Sequence, residues 1–239
     1  MRVILLTDIH ANLPALQAVL ETVEREGYDL LYHAGDAIGI GPFPREVIEV
    51  LAALKSARFV QGNHDALYVH GIPDPKPSRL SDGEVEHQQW THRQLGDQWH
   101  NWMSSWPYQL DEMCDGLAIS ILHYGIRGPK GDFKSFVPHP PSNEALDELF
   151  AGVPASLVCY GHNHEHSDNK GIRHYVNPGS LGCHTKAEAR YAVLDITDGR
   201  YTLEYRSIPY NDAPLLEAFE TRQVPERHFI YTAFYDGRW

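Results

Sequence analysis

Apolar and polar positions alternate between two periods along the first quarter of the chain. "VILLT" (3–7) is a short unbroken apolar run of the kind a buried strand makes, and Leu13, Leu16, Leu20 and Val23 follow at helical spacing. Asn12 suits the N-cap of that helix and Pro14 its first turn. The unit then repeats loosely. "DLLYHAG" (29–35) predicts a strand into a loop, "REVIEVLAALK" (45–55) a helix with Val47, Val50, Leu51 and Leu54 on one face, and "ARFVQGNHD" (57–65) another strand into a loop. Strands alternating with helices imply crossover connections and a mostly parallel sheet.

Residues 66–112 break this rhythm. "GIPDPKPS" is rich in turn formers, and "EVEHQQWTHRQLGDQWHNWMSSWP" is helical but interrupted by Gly96, so the stretch is expected to form a helical cap over one edge of a single domain spanning 1–239. Leu95, Trp99, Trp102 and Trp106 recur at helical spacing and are expected to pack, whereas Trp90 and His92 fall off that stripe and are expected to face a ligand. Further on, "GLAISILHYG" (116–125) and "SLVCYGH" (156–162) predict strands into loops, "SNEALDELF" (142–150) a short helix, and "ARYAVLDI" (189–196) with "YTLEYRSI" (201–208) a hairpin. The C-terminal segment shows a short helical pattern and then a strand-like aromatic run, able to pack on the core or on a second copy of the chain.

Composition narrows the chemistry. A chain of 239 residues can bury a core without disulfides or structural metal, so a metal here would serve chemistry. Three cysteines, Cys114, Cys159 and Cys183, stand at long spacings without a CxxC pair, which favours buried thiols over a disulfide framework or thiolate zinc. No apolar run matches a signal-peptide core or a membrane span, so a cytoplasmic protein without membrane contact is expected. A net charge of −12 argues against a basic groove tracking long nucleic acid, while leaving room for a small phosphate ester.

The candidate chemistry sits where the predicted strands end. Asp8 and His10, Asp36, Asn63 with His64 and Asp65, His123, and His162 with His164 each follow an apolar run, and strand carboxyl ends gather along one edge of an α/β sheet. Carboxylate, amide and imidazole together suit manganese, iron or zinc better than calcium or magnesium. Seven candidate ligands exceed what one ion needs and suffice for two sharing a carboxylate. His64, beside a ligand position and followed by Asp65 close enough to orient its ring, suits a general acid donating to a leaving oxygen.

In this order, "DIH", "GD", "GNHD", "LHYG" and "GHNH" resemble the signature of the calcineurin-like metallophosphoesterase family. The resemblance implies a four-layer α/β/β/α sandwich of two central β-sheets. It also implies two divalent ions, one held by Asp8, His10, Asp36 and His164 and the other by Asp36, Asn63, His123 and His162, with a metal-bridging hydroxide as nucleophile. His166 is left without a role and is expected to be solvated. "NPGSLG" (177–182) is similar to a segment of a prokaryotic phosphodiesterase-like branch that includes diadenosine polyphosphate hydrolases. There a QPR usually follows, but Cys183, His184 and Thr185 stand here, which removes an expected arginine. Arg127, Lys130 and Lys134 are loop cations that could contact phosphate in its place, and "GIGPFP" (39–44) could bring backbone amides to the substrate. The implied activity is hydrolysis of small phosphodiesters, nucleotides or dinucleoside polyphosphates; the alternatives are a phosphomonoesterase or serine/threonine protein phosphatase, and a non-catalytic metal-binding scaffold.

Overall fold

Two five-stranded mixed sheets form the centre of the computed structural model, which describes residues 1–78, 80–128 and 132–237. The first sheet starts with β1 (Arg2–Leu6), α1 (Leu13–Glu26), β2 (Leu30–His33), α2 (Pro44–Ala53) and β3 (Ala57–Phe59). Its three strands run parallel, with Val3 opposite Leu30 and Leu31 opposite Ala57, as the alternating pattern requires. Asn12 caps α1 by accepting from Ala15 N at 3.1 Å. Next come α3 (Asn63–His70), α4 (Asp82–Leu95), a 3-10 turn (Asp97–Trp99) and α5 (His100–Ser104). The second sheet is built from β4 (Gln109–Cys114), β5 (Leu117–Leu122), β6 (Leu157–Cys159), β7 (Ser167–Lys170) and β8 (His174–Asn177), with α6 (Asn143–Leu149) between β5 and β6. Its order is β4-β5-β6-β8-β7. The chain then returns to the first sheet through β9 (Glu188–Thr197) and β10 (Arg200–Pro209), giving β10-β9-β1-β2-β3, and ends in α7 (Ala213–Thr221) and α8 (Arg227–Tyr235).

Side-chain alternation sorts the strands into four layers. On β1 and β2, Ile4, Leu6 and Leu31 pack outward against Leu16, Val19 and Val23 of α1 and Val47 and Leu51 of α2. Val3, Leu5, Leu30 and Tyr32 point the other way and meet Ile119, Ile121, Leu157 and Val176 of the second sheet. The far face of that sheet, through Val158 and Tyr175, packs on Leu146 and Leu149 of α6. This is the expected α/β/β/α sandwich. Among the described residues no helix is long and apolar enough to cross a membrane.

Three parts of the pattern resolve differently. The 66–112 stretch is not all cap: Leu95, Met103 and Trp106 are buried in the outer core with α1 and α2, so the tryptophan stripe packs as expected, and Gln109–Cys114 is a strand of the second sheet. The helical layer also begins earlier, because Asn63–His70 is already α3. The C-terminal aromatic run is helix α8, packed within this chain through Ile230, Tyr231 and Tyr235 against Trp90 and Phe219.

Candidate active site

The loops after β1, β2, β3, β5 and β6 converge at one edge between the two sheets. Asp8, His10 and Asp36 are buried there, Asn63 begins α3, and His123 is buried at the end of β5. His162 and His164 enter from the loop after β6. Two clusters emerge. In one, His10 Nε2 lies 2.8 Å from His164 Nε2, and each is 3.6 Å from Asp8 Oδ1. In the other, His123 Nε2 lies 3.2 Å from Asp36 Oδ2, while Asn63 Oδ1 is 2.9 Å from His162 Nδ1 and 3.2 Å from His123 Nε2. Asp36 Oδ2, also 3.9 Å from His10 Nε2, stands between the clusters. All seven expected ligands are thus brought together.

The backbone is bent to achieve this. Asp8, His10, Asp36, His162 and His164 have φ of 51°, 49°, 58°, 74° and 59°, in the left-handed region. The loop after β6 turns at its two histidines, not at Gly161. That glycine is needed for proximity: a Cβ there would lie 1.9 Å from Thr7 Oγ1 and 2.6 Å from Asp8 Oδ2.

The donor set fits metal. His123 Nδ1 donates to Ala34 O at 2.9 Å and His10 Nδ1 to Ile38 O at 3.3 Å, which turns the Nε2 edge of each ring toward the cluster. Burial opposes charge on Asp8 and Asp36, yet both carboxyls are held below the usual carboxylate range, Asp8 by His10 and His123 and Asp36 by His123 and His64. Conversely, His123 is raised to about 9, because Asp36 outweighs the burial that would lower it. The ion-pair partners of these two buried carboxylates among the described residues are imidazoles alone. Such a site calls for positive charge. Three His, Asp and Cys groups have ligand atoms within 4.8 Å of one another: Asp36 with His123 and His162, His10 with Asp36 and His64, and His10 with His164 and Cys183. Cys183 offers a poor ligand, since burial pushes its thiol pKa up and its sulfur lies 3.8 Å from Tyr235 Oη.

The model of the calcineurin-like phosphoesterase superfamily domain matches residues 1–199. The chain belongs to that superfamily. It is a phosphoester hydrolase, and its fold extends to solved structures. A hypothetical protein from Pyrococcus horikoshii superposes with a TM-score of 0.82 at 21% identity, covering 100% of this chain and 99% of the other. A metallophosphoesterase from Sphaerobacter thermophilus gives 0.74 at 23% identity with 97% of both chains covered. An uncharacterized protein of Methanocaldococcus jannaschii is 23% identical over 92% of this chain and 93% of its own length.

Other expected roles in this phosphoesterase change. Asp65 does not orient His64. Its carboxylate accepts from the backbone amides of Asp36 at 2.8 Å, Ala37 at 3.1 Å and Gly62 at 2.9 Å, pinning the Asp36 loop to the start of α3. The partner of His64 is Gln88 of α4, whose Nε2 lies 2.6 Å from His64 Nδ1, a contact with no signature in sequence. Gly39 crowds the same ring, a Cβ there falling 2.4 Å from His64 Nδ1, and Gly41 N donates to His10 O at 3.1 Å, so "GIGPFP" packs the site's own loops.

Trp90 is buried against Leu215 and Phe219, and His92 lies 5.2 Å from the Tyr68 ring, so neither is among the residues lining the cleft. Arg127 donates to Ser135 Oγ and Lys134 to the Glu148 and Leu149 carbonyls at the end of α6, while Lys130 lies outside the described residues. His166 is exposed with its ring 4.1 Å from that of Tyr205. The "NPGSLG" segment is a brace. Asn177 Nδ2 donates to Gly161 O at 3.0 Å, Ser180 Oγ donates to Asp8 O at 2.8 Å, and Gly182 N donates to Asp8 O at 3.0 Å, tying the two histidine-bearing loops together.

Two cavities adjoin the site. One of about 390 Å³ opens over Asp36, His162 and His164 and is flanked by Phe136 and Phe234. The other, of about 550 Å³, lies between α3, α4 and α8. Both have Ile40, Asn63, His64 and Phe234 among their walls.

Proposed function

We propose that this chain is a two-metal phosphodiesterase acting on small molecules. Asp8, His10, Asp36 and His164 hold one ion and Asp36, Asn63, His123 and His162 the other, with Asp36 shared. The mixed oxygen and nitrogen donors suit manganese, iron or zinc. The observation that carries the diester reading is electrostatic: no Lys or Arg is among the described residues lining either cavity. A phosphate monoester dianion or a polyphosphate chain brings charge that would call for such side chains, whereas a diester carries a single charge. That favours the diester over a dinucleoside polyphosphate and over phosphomonoesters. A protein phosphatase is disfavoured further because α4 and α8 narrow the approach to a folded protein.

When bound, the ions supply Lewis acidity and an activated water. The chain supplies position and a hydrogen-bond donor. His64 faces both cavities, and with the Gln88 amide nitrogen toward Nδ1, the neutral ring carries its proton on Nε2. Burial lowers the His64 pKa to about 4, so at physiological pH the ring is neutral and its Nε2–H serves as a hydrogen-bond donor, not as a transferable proton. In place of the expected general acid, Nε2–H is then the group that hydrogen-bonds the departing oxygen as negative charge develops on it, while Asp65 holds the loops bearing Asp36 and His64 in register.

Chelation should abolish hydrolysis of a chromogenic diester and manganese should restore it. Asp36→Asn should lose bound metal and rate together. His64→Ala should retain metal and lose roughly 10²–10⁴ in turnover on poor leaving groups. Full activity of metal-free protein, or equal metal content and equal rates in the two variants, would refute the assignment.

A further inference from the structure

Beyond His64 and Asn63, the 550 Å³ pocket has a composition unlike the centre it adjoins. Most of its wall is apolar: Ile40, Leu67, Leu80 and Ile230 line it, with Phe229 and Phe234 from α8. Phe229 keeps 59% of its surface exposed although it belongs to a well-packed helix. Its charged groups among the described residues are two carboxylates, beside Asn63, Ser81 and Gln88, which can donate or accept. Glu84 uses one oxygen to accept from Ser81 N at 2.7 Å, and Glu226 is exposed at the start of α8. Gly83 makes room for Glu226, since a Cβ there would lie 2.3 Å from Glu226 Cδ.

His87 completes the set. It is only 5% exposed, and its Nδ1 lies 3.2 Å from Pro225 O, an acceptor, so that nitrogen carries the proton. Its Nε2 in the neutral ring is therefore an acceptor, and it has no hydrogen-bond partner among the described residues. A buried acceptor and two carboxylates, with no Lys or Arg among the described residues of the lining, make this an unsuitable place for a second phosphate.

We infer that this pocket binds the leaving group of the substrate and selects an uncharged or cationic, largely apolar group that donates N–H hydrogen bonds, an amino-bearing nucleoside being the match in size. Naming the occupant a leaving group rests on the phosphodiesterase reading; the binding chemistry of the pocket does not. His64 joins the two halves of the site: the phosphoryl group lies on the side of Asp36 and His162, the departing oxygen lies at His64, and the remainder of the alcohol extends between α4 and α8. The apolar walls and exposed phenylalanine take the ring, and His87 Nε2 with the Glu84 and Glu226 carboxylates take the amino protons.

The test is calorimetric titration of the full-length protein with adenosine, with purine riboside, which lacks only the amino group, with adenosine 5′-monophosphate and with benzylammonium. Adenosine should bind about tenfold tighter than purine riboside, as a hydrogen bond to a charged acceptor implies. Both His87→Phe and the exposed Glu226→Gln should collapse that ratio toward one. Benzylammonium binding tighter than adenosine, with the same sensitivity to Glu226→Gln, would support the chemistry and assign the source to a simple amine. Equal affinity for adenosine and purine riboside, tighter binding of the monophosphate in the absence of metal, or no binding of any probe would overturn the inference. Because none of these measurements involves turnover, their failure leaves the hydrolase reading standing. Adenosine binding with no manganese-dependent hydrolysis of any diester would instead sink the hydrolase reading alone.

Discussion

Replacing Gln88 by leucine isolates the orientation of His64 from its presence. Gln88 is 8% exposed and its amide is the side-chain group hydrogen-bonded to His64 Nδ1. Leucine keeps most of the volume and removes the bond, leaving a ring nitrogen in a buried setting without a partner, which costs about 1–3 kcal/mol. The ring is still confined by Gly39, so it is not lost to solvent. If that cost falls on the hydrogen-bond-donating geometry, turnover of an alkyl ester should fall roughly 5-fold to 150-fold. That is less than removal of the imidazole would cause. A 4-nitrophenolate leaving group needs no such donor, so turnover of the corresponding ester should stay within about twofold. The assay is kcat on matched alkyl and nitrophenyl diesters under saturating manganese, with bound metal measured in the same samples. Equal losses on both esters, no loss on either, or a fall in bound metal would show that Gln88 does not act through the His64 proton.

Two further substitutions probe the scaffold of the site. Gly161→Ala forces a methyl group into Thr7 Oγ1 and Asp8 Oδ2, so manganese affinity measured by titration should fall by about 10–100-fold, as displacing a ligand's support does, and stability by about 1–3 kcal/mol; unchanged affinity would refute the close packing of these loops. His33 is fully buried against Phe59 and Trp106, neither ring nitrogen has a partner among the described residues, and burial lowers its pKa to about 3 despite attraction from Asp8. Its unfolded value is about 6.5, so its effect is absent above that pH and the folded state loses stability as pH falls toward 3. His33→Phe should therefore gain on wild type by roughly 3 kcal/mol between pH 7 and pH 4 in urea unfolding, and a difference independent of pH would be the contrary result.

The first sheet's parallel strands and the convergence of Asp8, His10, Asp36, Asn63, His123, His162 and His164 were legible because each chemical group directly follows an apolar run, and strand ends have few places to go in an α/β sheet. What sequence did not disclose lies in contacts between distant segments. Helix α3 starts on the site residues themselves, so its first turn reads as motif, and its buried Asp65, Tyr68 and Val69 make a weak apolar face. In α8, "RHFIYTAFY" suits a strand as well as a helix, and packing on Trp90 and Phe219 decides between them. Trp90 was expected at the cleft because it falls off the Leu95 stripe; α8 covers it instead, and His87 and Gln88 line the pocket. Gln88, an ordinary polar residue 24 positions from His64, carries no local signal at all. The same holds for Asp65, whose nearness to His64 in sequence pointed to the ring, whereas the backbone amides of a loop 28 residues away claim both its oxygens.

The left-handed backbone at His10, His162 and His164 places function in opposition to robustness. An L-residue with a Cβ holds that conformation at a cost of roughly 1–2 kcal/mol, set against roughly 0.5–1 kcal/mol of extra chain entropy lost by a glycine in its place. At each of these three positions, then, the replacement that discards an imidazole is also the one that relaxes the main chain. For a domain whose net stability is only about 5–15 kcal/mol, the sum over several such positions is a sizeable fraction of the whole. Drift without selection for catalysis would run thermodynamically downhill, toward chains that keep the sandwich and lose the ions. Inert descendants of this architecture are the cheap outcome, because losing the histidines and relaxing the backbone are one and the same change.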